Sequence, residues 1–179
     1  MSQRFIYFWI LFSISIHPNF LLFGQNRPEL YDLSKGQLIK VEGRDFQGTR
    51  LVADKIEWAD DDDDIEIEGL VSNLDRRAGT FSVAVSQVRV NAQTEFENSL
   101  REPRSLADLA NGIRVKVKVR RVRRGVLEAK TVRLYNDAKD ADFEVVSWIQ
   151  SIDLDRSELT LLWIKVKVTP ETRWVLPRK

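Results

Sequence analysis

The chain has 179 residues, 43% of them hydrophobic and 31% charged, which predicts one medium or two small folded domains and excludes a disordered chain. Twenty-eight Lys and Arg stand against 27 Asp and Glu, so no whole-surface clamp for a polyanion is expected, while a local basic patch stays open. With no cysteine, neither a disulfide framework nor a lipid-bearing N-terminal cysteine is available.

Residues 1–24 read as a signal peptide or membrane anchor. Arg4 is the only charged side chain before Arg27, the run from Phe5 to Ile16 is apolar, and Pro18 breaks it. Leu22 and Gly24 make a poor cleavage context; left uncut, residues 5–23 are just long enough to anchor in a membrane. The expected location is periplasmic or secreted, in a bacterial envelope, with membrane contact only through that segment.

From Leu33 onward apolar residues recur at period two between glycine-bearing turns, which predicts an all-β protein. The chain also echoes itself. "LSKGQLIKVEGRDFQGTRLVADKIEW" (33–58) matches "LANGIRVKVKVRRVRRGVLEAKTVRL" (109–134), with Gly36 on Gly112, Val41 on Val117 and Ala53 on Ala129. "IEIEGLVSNLDRRAGTFSVAVSQVRVNAQTEF" (65–96) matches "FEVVSWIQSIDLDRSELTLLWIKVKVTPETRW" (143–174), with Glu66 on Glu144, Thr94 on Thr172 and Phe96 on Trp174. The chain thus reads back half, front half, back half, front half.

Only 65–135 holds a contiguous unit. It reads as strand 65–74, a turn at "DRRAG", strands 80–86 and 88–95, a short helix over 105–110, strand 113–120, a turn at "RRG" and strand 126–134. Ser105 is its predicted helix N-cap, Asp108 adds charge to the first turn and Gly112 ends it. Three strands, a helix and two strands is the order of the five-stranded OB barrel.

The stretches "IEGLVSNLD", "GTFSVAVSQVRVNAQTEFEN", "SLADLANGIRVKVKV" and "GVLEAKTV" resemble the exported bacterial OB-like domains catalogued only as a domain of unknown function. The resemblance spans one full copy and two half copies, and its motifs imply a fold without implying an activity. The last copy stops at Lys179 with neither helix nor closing strands. A half barrel leaves open edges and an apolar face, so 30–58 and 143–176 are expected to close a second, composite barrel, with 59–64 and 136–142 as linkers. The alternative is that each half pairs with a neighbouring molecule or with the central barrel.

Asp60–Asp64 lack the spaced ligands and turn glycine of a calcium loop and read as a solvated linker. No metal or cofactor is expected. The only histidine, His17, lies in the leader, which removes His-dependent and Cys-dependent nucleophile arrangements from the mature chain. Glu66 and Glu68 share one strand face and could in principle run glycoside hydrolysis, but an outward pair opposite Ile65 and Ile67 is the ordinary wet face of a strand. No catalytic residue is assigned.

In residues 113–120 the apolar Ile113, Val115, Val117 and Val119 alternate with Arg114, Lys116, Lys118 and Arg120, as any half-buried strand requires. The flanking loops carry the sharper signal. Arg76 and Arg77 after the first strand, with Arg120, Arg121, Arg123 and Arg124 around the last turn, are the candidate anion-binding rim, expected to converge at one end of the barrel. The partner implied is an anionic envelope surface or an envelope protein. Nucleic acid is the runner-up reading, weakened because Ser82, Ala84, Ser86, Arg89, Asn91 and Gln93 offer no aromatic platform. A carboxylate-dependent hydrolase is the distant third. Trp58 and Trp174 are expected in the core, while Trp148 and Trp163 fit either a core or an exposed patch.

Overall fold

The computed structural model describes residues 29–44, 46–47, 50–60, 62–123, 125–135 and 143–175; the predicted leader, the 136–142 linker and Asp61 lie outside them. Fifteen strands follow in chain order: β1 Leu38–Gly43, β2 Phe46–Gln47, β3 Arg50–Val52, β4 Lys55–Trp58, β5 Glu66–Asp75, β6 Thr80–Val83, β7 Ser86–Arg89 and β8 Glu95–Asn98. Then come β9 Arg114–Arg123, β10 Val126–Tyr135, β11 Phe143–Trp148, β12 Ser151–Asp153, β13 Glu158–Leu161, β14 Ile164–Lys167 and β15 Arg173–Val175. Alternation explains most of them: in β10, Leu127, Ala129, Val132 and Leu134 are buried while their neighbours are not.

The central barrel closes as expected. β5 pairs with β6, β6 with β7, β7 runs parallel to β10, β10 pairs with β9, and β9 returns to β5. The second ring is built from the two ends of the described chain. β11 pairs with β1, β1 with β4, β3 runs parallel to β14, β14 pairs with β13, and β13 with β12, which continues β11. The protein is all-β, two small OB-like barrels, the second closed by segments about a hundred residues apart.

Matching positions do matching jobs. Gly36 and Gly112 sit at φ +84° and +85°, a region that favours glycine. The Gly36 N–H donates to Ile149 O over 2.9 Å, and the Gly112 N–H to Val71 O over 2.8 Å. Thr94 Oγ1 donates to Ala129 O over 3.0 Å, and Thr172 Oγ1 to Ala53 O over 2.8 Å. Each threonine therefore fastens a front half to a back half. Thr172 is buried, so Thr172→Val should leave the Ala53 carbonyl unsatisfied and cost about 1–2 kcal/mol in denaturant unfolding.

Three details differ from the sequence expectation. The helix of 105–110 is a three-residue 3-10 turn, Leu106–Asp108, which ends at Leu109 while Gly112 shapes the following turn. Its Ser105–Asp108 capping box is present, and Glu29–Asp32 repeats it around the turn Leu30–Asp32. The strand expected over 80–86 stops at Val83, because Ala84 takes φ +54° in a turn that no glycine marks. Finally, 88–95 divides into β7 and the separate β8, which runs parallel to β10.

The barrels meet through their first strands. β5 and β11 pair antiparallel with Glu68 opposite Glu144, Ile67 opposite Val145 and Glu66 opposite Val146. Ile67 and Val145 are counterparts in sequence, so a local two-fold axis passes through that pair. Gly69 keeps the seam close: a Cβ there would stand 3.0 Å from the Phe143 ring and 3.1 Å from Val83. Ser86 is buried in the same seam, its Oγ donating to Leu162 O over 2.7 Å. Period-two alternation with Ser82 and Ala84 predicts an outward Ser86; the seam buries it instead.

Candidate functional site

Joining β5 to β11 merges one wall of each barrel into a continuous sheet, ordered β4, β1, β11, β5, β9, β10 across the seam. The outward residues of these strands carry charge. Lys55 contacts Glu42 and Glu57 at 3.0 and 2.8 Å, and Lys40 contacts Glu144 at 2.6 Å and Glu42 at 3.4 Å. Lys116 reaches Glu144 across the seam at 2.9 Å and, within its own barrel, both Glu66 and Glu68 at 3.3 Å. Arg114 pairs with Glu68 at 2.5 Å, Lys118 with Asp64 and Glu66 at 3.1 and 3.2 Å, and Lys130 with Asp64 at 3.8 Å.

Six carboxylates (Glu42, Glu57, Asp64, Glu66, Glu68, Glu144) and six cations (Lys40, Lys55, Arg114, Lys116, Lys118, Lys130) thus form one connected, neutral network. This accounts for the sign of the basic strand. Arg114, Lys116 and Lys118 are set against the acidic first strands of both barrels, while Val115, Val117 and Val119 fill the core beneath.

Protonation follows the pairing. Burial works against the charge of Lys116, yet Glu144, Glu66 and Glu68 overcome it and lift the amine well above an ordinary lysine. Burial likewise opposes Lys40, and Glu144 and Glu42 lift it. Asp64 chiefly raises Lys118, and Glu57 chiefly raises Lys55. Burial would push Glu144 up; Lys116 and Lys40 together pull it below its usual value. At neutral pH Lys40, Lys55, Lys116 and Lys118 therefore stay protonated and Glu144 stays ionised.

A polar groove of about 480 Å³ lies over the network between Trp58 and the aspartate run. Among the described residues no group of His, Cys, Asp or Glu converges as a metal site, and Asp64 is spent on Lys118 and Lys130.

The described side chains of the candidate rim, Arg76, Arg77 and Arg120, do not converge. The turn after β5 and the turn after β9 leave the antiparallel β5–β9 ladder at opposite ends, so they flank the barrel instead of meeting. Arg76 Nη2 donates to the Leu109 carbonyl over 2.6 Å, which ties the β5–β6 turn to the 3-10 turn. The Arg120 guanidinium holds the side chain and carbonyl of Gln93. Arg77 is exposed. The side chains of Arg121 and Arg123, and all of Arg124, lie outside the described residues.

Trp58 and Trp174 pack on each other, ring centroids 5.9 Å apart at 47°, half-buried against the core. Trp148 and Trp163 are 50% and 39% exposed. The charge network escaped the sequence reading because its link across the seam, Lys116 to Glu144, joins strands whose pairing no local pattern announces.

No curated protein and no solved structure matches the chain. Residues 68–133, from within β5 to within β10 of the central barrel, match the family described as "Domain of unknown function (DUF5666)", and it is to that family that the central barrel is similar.

Proposed function

We propose that the protein is a non-catalytic binding or structural module of the bacterial cell envelope, two copies of one barrel unit joined into a single body. The observation that carries this reading is the charge network. Glu66 and Glu68, the carboxylate pair best placed for hydrolysis, are each held by cations of β9, and Glu68 is buried. Their chemistry goes into fixing β5 between β9 and β11. The apolar leader supports export.

The network also weakens the nucleic-acid reading, since Arg114, Lys116 and Lys118 meet carboxylates before they could meet phosphates. Contact with an anionic surface would fall to Arg77 and the β9–β10 turn.

The test is Glu66→Gln/Glu68→Gln in the chain lacking residues 1–24. Residues that serve structure lose stability when neutralised, here by roughly 2–3 kcal/mol, whereas catalytic groups commonly sit at a cost to stability that their removal relieves. We expect a lower unfolding midpoint and an unchanged null result on a panel of oligosaccharides. Hydrolysis that disappears in a variant of equal or greater stability would overturn the reading. Oligothymidine binding that survives physiological salt and is lost on Arg121/Arg123/Arg124→Ser would replace it with the nucleic-acid reading.

A further inference from the structure

One end of the composite barrel carries a groove of about 580 Å³. Leu30, Tyr31, Leu154, Val168, Pro170 and Trp174 make it mainly apolar, and among the described residues Glu29 is its only charged lining residue. Tyr31 and Leu154 are 69% and 56% exposed. Two large apolar side chains held in water beside one cavity mark an interaction surface.

The corresponding place on the central barrel is lined differently. Arg76 stands where the composite barrel has Leu154, Ala107 where it has Tyr31, and the Arg76 guanidinium ties this place to the Leu109 carbonyl. Leucine cannot repeat that bond, so the composite barrel lacks the tie and has a large apolar side chain in its stead.

The main chain says what the open groove takes. Among the described residues β15 is the last strand of its sheet. The Arg173 N–H donates to Asp54 O on the β4 side, so alternation turns the peptide groups of Trp174 to the outer edge. The counterpart edge, on β8, is covered by an extended stretch of chain: the Arg104 N–H donates to Phe96 O over 2.8 Å and the Asn98 N–H to Glu102 O over 3.0 Å. Carried back along the sequence at the same spacing that sets Gly36 on Gly112, Arg104 aligns with Pro28, a residue with no N–H to donate.

We propose that the groove and the β15 edge together bind an extended segment of a partner polypeptide, added as a strand. A large apolar side chain of that segment sits between Tyr31, Leu154 and Trp174, and a basic residue lies beside Glu29. Main-chain pairing gives the affinity and the groove gives the selectivity. The assignment rests on the binding-module reading and names its partner.

The experiment is selection of displayed random decapeptides on the full chain, with counter-selection on Leu154→Arg, which puts the central barrel's arginine into the groove. Enriched peptides should pair an aromatic or branched apolar residue with Lys or Arg. A synthetic peptide from that pool should bind Leu154→Arg and Tyr31→Ala at least tenfold more weakly and Gln87→Ala, an exposed change on β7 of the central barrel, equally well. Exchange of the Trp174 amide should slow at least tenfold on binding, which adsorption to an apolar patch would not produce. These substitutions change exposed side chains, and unchanged unfolding midpoints verify the fold.

Failure to enrich any peptide, equal binding to Leu154→Arg, or an unprotected Trp174 amide overturns the proposal. So does tighter peptide binding after removal of residues 1–24, which assigns the groove to the chain's own leader. A dimer dissolved by Leu154→Arg assigns it to a second copy and overturns the proposal as well. The module reading falls separately, through Glu66→Gln/Glu68→Gln, whatever the groove binds.

Discussion

Removing residues 143–179 is expected to unfold residues 29–58 and leave the central barrel standing. β1 lies between β4 and β11, and β3 between β2 and β14. Without the C-terminal strands, β1 to β4 are reduced to one bent hairpin, which is marginal in water by itself. Ile39, Val41, Leu51 and Ile56, all fully buried, would lose Val145, Leu159, Leu161, Ile164 and Val166 across the barrel. Each such side chain loses about 1.5–3 kcal/mol of burial, more than a four-strand remnant can withstand.

The central ring keeps every one of its own pairings. It loses the Lys116–Glu144 ion pair, the Phe143 ring over Gly69 and the Ser86–Leu162 bond, so it should melt earlier but still cooperatively. Hydrogen exchange by mass spectrometry reads both outcomes. Amides of 38–58 should exchange as an unfolded chain while those of 66–135 remain protected. Protection of 38–58 in a truncated monomer would show that the N-terminal half closes some other way.

That architecture was legible because strand patterns count. Val115, Val117 and Val119 face one way and Arg114, Lys116 and Lys118 the other, so the local structure of β9 follows from alternation alone. The halves then add up to two barrels only if the outer ones meet. Tertiary detail was not legible in the same way. Ala84, at φ +54°, turns the chain without a turn residue, and Leu162 and Trp163 do the same at φ +47° and +68°; the body of the protein imposes those conformations. Arg76 looked like a ligand-seeking arginine, because no sequence pattern shows that the Leu109 carbonyl lies within its reach. Basicity in β9 was visible, but its cause, Glu144 on the far side of a seam, needed the register of β5 with β11.

Gly43→Ala is expected to destabilise the composite barrel by about 3 kcal/mol, the range of a buried steric conflict that backbone must absorb. A Cβ at Gly43 would stand 2.2 Å from the Val52 carbonyl oxygen and 2.8 Å from Leu51 Cδ1. The first is backbone, held in the barrel by β3, and cannot rotate aside. The position is where the sheet bends from β1 toward β2, and a barrel corner must coil sharply there. The two barrels reach that coil by different means. In the central barrel Val119 holds the corresponding place with its side chain buried, and the β9–β10 register slips at Glu128 and Ala129 to make room. In the composite barrel the β1–β4 ladder ends with Glu42 opposite Lys55, the β2–β3 ladder takes over with Phe46 opposite Leu51, and the Asp54 N–H donates to Glu42 O between them, so the space at this corner comes from the missing Cβ. Val119→Gly should accordingly leave the composite barrel intact, costing only central-barrel packing, whereas Gly43→Ala should raise exchange first at 38–58 and 158–167. Equal unfolding midpoints for wild type and Gly43→Ala would show that β1 can adopt the central barrel's bulge, and that glycine here is a convenience.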